Sequence, residues 1–208
     1  MKRKTYQGPK NDKERTMQKM VQSVGEVLKE KGFRGLSIAN ISKSAGVDRK
    51  LISVYFGSVE GLIGAYFHKK NYWRSSHTAT VKEATESVDN KSKTLLKSYL
   101  MDHFRMLLYD EEMKEVLLWS LSQKDPVIND LTNKAEDISR LICPSSAREE
   151  NKIIDIKALI AIMLSGVSFI ALHSKATDST FCDLDIRSEE GISRIEEAML
   201  SIIDMMYV

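Results

Sequence analysis

Residues 36–56 read LSIANISKSAGVDRKLISVYF, and this stretch decides the fold of the N-terminal part of the chain. Two short segments with helical spacing of apolar residues flank Gly46, and an acidic residue and two cations open the second. This order is typical of a helix-turn-helix, whose second helix enters the major groove of DNA. The stretch therefore predicts two helices joined by a sharp turn.

The residues that border the turn explain why it forms there. Ser37 and Asp48 can each accept a hydrogen bond from a free amide at the start of a helix, and the Asp48 charge also suits a helix N-terminus. Gly46 has no β-carbon and enters the left-handed conformation that ends the first helix. Val47 is expected to anchor the turn in the core.

The same spacing predicts which sides of the two helices are buried. Five residues should face inward: Ile38, Ile41, Ala45, Ile52 and Phe56. The outer side of the second helix then carries Arg49, Lys50, Ser53 and Val54, with Leu51 and Tyr55 at its margins.

This outer side and its neighbours are the candidate DNA-binding residues: Ser37, Lys43, Asp48, Arg49, Lys50, Leu51, Ser53, Val54, Tyr55 and Ser58. Arginine and lysine side chains bind phosphates and guanine edges, whereas small and apolar side chains contact base edges and the thymine methyl group. Tyr55 can donate to a phosphate. The alternatives are an ordinary solvated face, most of all for Lys43, and a core role for the Tyr55 ring.

The formal net charge of +2 hides a strong asymmetry. Residues 1–74 hold 16 lysines and arginines against 6 acidic residues, and residues 75–208 hold 15 against 23. The first part is thus +10 and the second −8. Basic charge therefore accompanies the helix-turn-helix, where it can attract phosphate.

Composition predicts an all-α protein, because the 208 residues include only 3 prolines and show little β-branched alternation. We expect a helix-turn-helix DNA-binding domain of three helices at 1–57, whose first helix is 13–31, and a helical domain at 58–208. Residues 1–12 are expected to be a disordered basic arm, which either reaches along DNA or is a plain tail. Its cations are Lys2, Arg3, Lys4 and Lys10.

Two C-terminal segments repeat apolar residues at spacings of three and four. Such seams pack against other helices at a shallow angle, and the segment around 153–170 is apolar on nearly all its faces. A two-fold dimer that forms a four-helix bundle would enclose it, although an internal helix of a monomer is the alternative. The predicted dimer interface consists of Ile156, Ile160, Met163, Val167, Ile170, Ile195, Met199, Ile202 and Met206.

A candidate ligand pocket is suggested by Tyr99, His103 and Met106, which share one side of a helix, with Trp119 closing it. Core packing explains the same four residues. Cys143 and Cys182 form no CxxC pair and the histidines lack ligand spacing, so we expect neither a metal nor another cofactor. We also expect no enzymatic activity, since no catalytic constellation occurs.

The start of the chain is charged and polar, and its longest uncharged run, 158–172, is shorter than the roughly 20 residues that span a bilayer. We therefore expect a soluble, cytoplasmic protein without membrane association.

With these residues in view, the chain resembles the TetR family of bacterial transcriptional regulators. The matching positions are Ile41, Ala45-Gly46-Val47, Ile52, Tyr55-Phe56, Ser58, Glu60 and Leu62. The resemblance implies a homodimer that binds a palindromic DNA operator, with a C-terminal domain that holds a small-molecule effector and changes the spacing of the two DNA-reading helices. We expect a repressor that its ligand releases from DNA.

Four positions depart from the family pattern. The family usually has a small residue at 50, threonine or serine at 51, an aromatic residue at 53, and at 59 a lysine that commonly meets phosphate. This chain has Lys50, Leu51, Ser53 and Val59 there. The alternative function is a helical protein-interaction module that keeps the fold without specific DNA reading, suggested by Leu51, Val54 and Val59.

Overall fold

The computed structural model describes residues 9–70, 92–142 and 155–207, which are helical almost throughout. The helices are α1 (Pro9–Lys31), α2 (Ile38–Ala45), α3 (Lys50–Phe56), α4 (Val59–Lys70), α5 (Ser92–Tyr109), α6 (Glu111–Ser122), α7 (Pro126–Ile142), α8 (Ile156–Ala176) and α9 (Glu189–Met206). A short 3-10 turn, Phe33–Gly35, follows α1. In these ranges the only β-pairing is an isolated bridge between Phe181 and Leu184. The predicted all-α class is confirmed.

α1 begins four residues earlier than the sequence indicated. Pro9 is its first residue, so 9–12, the end of the predicted disordered arm, are helical. Proline is tolerated in the first turn of a helix, and the Asp12 carboxylate suits that end of the helix dipole. Residues 1–8 of the arm lie outside the described residues.

The turn between α2 and α3 forms as predicted. The Ser37 hydroxyl accepts a hydrogen bond from the Asn40 amide at 3.2 Å. Gly46 has φ +65°, and its amide donates back into the last turn of α2. The Asp48 carboxylate accepts from the Lys50 amide at 2.8 Å and so caps α3. Both capping predictions and the left-handed glycine are confirmed.

We predict that Ser37→Ala lowers the free energy of unfolding by about 1 kcal/mol, because it removes the cap of α2. Urea denaturation would measure the change. Ser201→Ala on α9 is the matched control, since Ser201 is an exposed helical serine. Equal stability of the two variants would contradict a capping role for Ser37.

The first core joins α1–α4 to α6 and the start of α7. Its fully buried centre consists of Met20, Val24, Leu28, Ile41, Ile52, Leu62 and Met113. Ile38 was expected inside but is 36% exposed, because it is the first residue of α2 and Ile41 carries the inner side. The boundary predicted between residues 57 and 58 stays a prediction, since α4 packs in one core with α1.

The second core lies between α5, α8 and α9, with Leu96, Leu100, Phe104 and Ile203 at its centre. It contains the residues that the sequence assigned to a dimer interface. Ile156, Ile160, Met163, Val167, Met199 and Met206 are each less than 10% exposed, and Ile170, Ile195 and Ile202 pack against them. That prediction was wrong about the face: the spacing identified residues that share a side, and this side is covered by the chain itself.

The opposite side of α8 is exposed instead. Ile162 is 67% and Phe169 54% exposed, and Met205 of α9 is 65% exposed. Among the described residues, α8 is the one helix that is long and apolar enough to cross a membrane by length and composition, with 28% of its most apolar window buried. The helix therefore presents an apolar face that the described residues leave exposed.

Candidate DNA-binding surface

The outer side of α3 and the end of α2 form one exposed surface, which we call the reading face: Lys43, Arg49, Lys50, Ser53 and Val54. Lys43, Arg49 and Lys50 line a shallow groove at the turn, together with Ala39, Asn40 and Val47. Val54 is 70% exposed. The structure thus brings together the cations and small side chains that the sequence proposed for DNA contact.

The cations of the reading face are available to a ligand. Within 9–70, 92–142 and 155–207, neither Lys43, Arg49 nor Lys50 forms an ion pair. The acidic neighbour, Asp48, is engaged with the Lys50 amide. Since exposed cations on a helix surface attract phosphate, the electrostatics of this face favour a polyanion.

The remaining candidates are partly engaged elsewhere. Leu51 and Tyr55 are half-buried and pack against the first core, as does Val59. The Ser37 hydroxyl serves as the α2 cap. Of the apolar residues that suggested a protein-interaction module, only Val54 is largely exposed. The predicted DNA contacts stay predictions.

The start of α4 carries negative charge. Ser58 is exposed, and its hydroxyl accepts from the Gly61 amide at 3.1 Å. A hydrogen bond with Ser58 is the main reason that the pKa of the Glu60 carboxyl lies below its ordinary value. A hydrogen bond with the backbone amide of Glu60 lowers this pKa further. Glu60 is therefore ionised beside Val59, and this helix start offers a phosphate no side-chain cation.

Sequence reasoning missed Lys13. Its ammonium lies 5.3 Å from the centre of the Tyr55 ring, so the beginning of α1 reaches the edge of α3. The spacing could have indicated this, because Lys13 precedes Met17 and Met20 on the stripe of α1 that faces inward.

A buried carboxylate attaches α1 and α4 to α6. Glu112 of α6 is only 2% exposed and accepts a hydrogen bond from the Tyr66 hydroxyl at 2.7 Å. Its oxygens also pair with the ammonium groups of Lys70 and, at 3.3 Å, Lys29. A β-carbon at Gly25 would lie 2.5 Å from the Tyr66 oxygen, so glycine is what lets this ring approach α1.

A second contact lies one turn further along α6. The Glu115 carboxylate accepts from the Phe33 amide at 3.1 Å and from Lys175 of α8 at 2.7 Å. Trp119 stacks on Phe33 with ring centres 6.0 Å apart. One side of α6 therefore connects the 3-10 turn after α1 to α8.

The four candidate ligand residues are divided between the two cores, and the pocket stays a prediction. Tyr99 lies in the second core, and His103 stacks on it at 6.2 Å between ring centres. Met106 and Trp119 belong to the first core. The helical spacing that grouped the three residues of α5 is real, but this helix passes from one core to the other.

Comparison with known proteins agrees with this arrangement. Residues 26–66 match the family described as bacterial regulatory proteins, tetR family. No curated protein sequence matches the chain.

Several solved structures share the fold. The fatty acid degradation regulator FadR from Bacillus halodurans has a TM-score of 0.61 at 17% identity, over 94% of this chain and 97% of that one. FadR from Bacillus subtilis in complex with stearoyl-CoA has 0.63 at 17%, over 89% and 96%. NalD, the secondary repressor of the MexAB-OprM efflux pump in Pseudomonas aeruginosa, has 0.51 at 17%, over 80% and 89%.

At these identities the solved structures support the fold alone, whereas the family match covers the helix-turn-helix itself. The capped turn at Gly46 and the exposed α3 lie inside the matched residues. Residues 26–66 therefore match the tetR family of bacterial regulatory proteins, and the described helices share the fold of the solved regulators.

Proposed function

We propose that the chain is a cytoplasmic repressor that binds a palindromic DNA operator as a homodimer and leaves it when a small molecule binds. The observation that carries this proposal is the set of exposed cations of the reading face, which form no ion pair with any residue that the structure describes, beside a turn with both caps in place. A groove-reading helix needs this combination, because phosphate contacts position it and side chains then contact the bases.

The dimer explains how two reading faces are held at one spacing. Ile162 and Phe169 lie on the exposed side of α8 with the small residues Ala158, Ala161, Ser165 and Gly166. Small residues let two helices approach closely, and a two-fold pair would cover the apolar side chains of both copies. Two reading faces in successive major grooves must be about 34 Å apart.

The effector is proposed to bind among the polar groups between α5, α7 and α8. The Tyr99 hydroxyl lies 3.1 Å from the Ser139 hydroxyl, and His103 Nε2 lies 3.5 Å from the Ser168 hydroxyl. A ligand that prefers a different arrangement of these helices would lower operator affinity by linkage. Since a structure of this fold holds stearoyl-CoA, acyl-CoA thioesters are the first probes for a thermal-shift screen.

The test begins with selection of genomic DNA fragments by the purified protein, followed by titration of an enriched fragment. We predict that Arg49→Ala and Lys50→Ala each weaken binding by about 10-fold or more, because one phosphate or base-edge contact is worth roughly 1–3 kcal/mol. Lys124→Ala is the matched control, since Lys124 is an exposed cation remote from α3 in sequence, at the turn between α6 and α7.

Two outcomes would contradict the proposal. Selection that enriches no fragment would exclude an operator-binding protein. Wild-type affinity in both the Arg49 and Lys50 variants would exclude the reading face as the DNA-binding surface. That outcome would favour the protein-interaction module, for which the exposed side chain of Val54 is the remaining support.

A further inference from the structure

The first turns of α1 extend past the core onto the edge of α3. Lys13 is exposed, and its ammonium lies over the face of the Tyr55 ring, 5.3 Å from the centre. Tyr55 is half-buried and packs against the first core, so its ring is a fixed platform. An aromatic face attracts a cation, and this contact holds the ammonium at the edge of α3.

Lys13 keeps its charge available for another partner. In the part of the chain that the structure describes, no carboxylate pairs with it, although Asp12 and Glu14 are its neighbours in sequence. The ammonium is attracted by the quadrupole of the Tyr55 ring, and this contact does not neutralise the Lys13 charge. The Lys13 ammonium, a cationic donor, therefore lies over the ring that carries the Tyr55 hydroxyl, a neutral donor.

The first residues of α4 offer a phosphate no such cation. Val59 supplies no cation there, and the neighbouring Glu60 is ionised. A phosphate at the start of α4 would therefore be repelled by the Glu60 carboxylate. Within the described N-terminal helices, Lys13 is the lysine whose ammonium contacts an α3 side chain.

We propose that Lys13 and the Tyr55 hydroxyl together bind one backbone phosphate of the operator at the edge of α3. This inference rests on the proposed DNA-binding function and assigns a partner to a residue of α1 that the sequence did not single out. Because phosphates carry no sequence information, the contact fixes the position of α3 and leaves base choice to the reading face.

The test compares Lys13→Gln with Lys19→Gln, a variant that removes the same charge from another exposed position of α1. Affinity is measured from 50 to 300 mM NaCl for an enriched fragment and for a random duplex of equal length. Lys13→Gln is expected to weaken both by about 10-fold at low salt and to reduce the salt slope by about 2 per dimer, one phosphate contact per subunit. Lys19→Gln is expected to change affinity less than twofold.

Tyr55→Phe distinguishes the two halves of the contact. Loss of a neutral hydroxyl should weaken binding with the salt slope unchanged, and the double variant should lose less than the product of the single losses, because both groups hold one phosphate. If the Lys13 and Lys19 variants lost affinity equally, the inference would be overturned. Sequence-selective binding by the wild-type protein would still support the proposed function in that case. Unselective binding by the wild-type protein would instead refute the proposed function itself.

Discussion

Replacing Ile162 and Phe169 together by aspartate is expected to convert the proposed dimer into monomers and to weaken operator binding by at least about 100-fold. Both side chains are more than half exposed on α8, so the variant should fold with its own core intact. In a two-fold interface each substitution would bury an unpaired carboxylate in both subunits, which is strongly unfavourable. Loss of the dimer weakens operator binding, because a monomer contacts one half-site of the operator and loses the second.

Light scattering after size-exclusion chromatography would measure the mass, and gel shift the affinity. Leu121→Asp is the matched control, since Leu121 is 72% exposed and belongs to α6 rather than to α8. A double variant that stays dimeric would contradict the assignment of this face. So would wild-type protein that remains monomeric in detergent-free buffer or sediments with lipid vesicles, because lipid would then be the partner of α8.

The turn between α2 and α3 could be predicted from the sequence, because its determinants are local. Ser37, Gly46 and Asp48 act within four residues of their own backbone partners. The apolar seam of α8 could be recognised for a similar reason. Its partner could not, since helical spacing says which residues share a side and leaves open whether α5 or a second copy covers it.

Contacts between segments that are far apart in sequence could not be predicted for another reason. Glu112 reaches Tyr66 across 46 residues, and nothing in the local pattern distinguishes it from its neighbour Glu111. A glutamate beside a helix N-terminus is usually solvated, and only the tertiary structure shows that α1 and α4 enclose this one. Helical spacing also grouped Met106 with Tyr99 without indicating that one side of α5 packs against two cores.

Glu112→Ala is expected to lower the free energy of unfolding by about 3 kcal/mol, because removing a buried, charged acceptor also leaves the Tyr66 hydroxyl without this partner. The pKa of Tyr66 lies far above its ordinary value, mainly because the phenol is buried and secondly because it is hydrogen-bonded to Glu112. The phenol therefore stays protonated and donates at every physiological pH. Lys29 and Lys70 are partly exposed, so water can solvate their ammonium groups in the variant. This solvation limits the loss of stability to about 3 kcal/mol.

Urea denaturation of four proteins would separate the parts of this contact. Glu112→Gln keeps an acceptor for Tyr66 but loses the attraction for the two lysines, so its stability should lie between wild type and Glu112→Ala. Glu136→Ala on α7 is the control, because its side chain is 58% exposed. Since Glu112 joins α6 to both α1 and α4, the alanine variant should also loosen the position of the reading face and weaken operator binding at temperatures where it remains folded. Stability equal to that of Glu136→Ala would show that the buried carboxylate does not hold the DNA-reading helices to the rest of the chain.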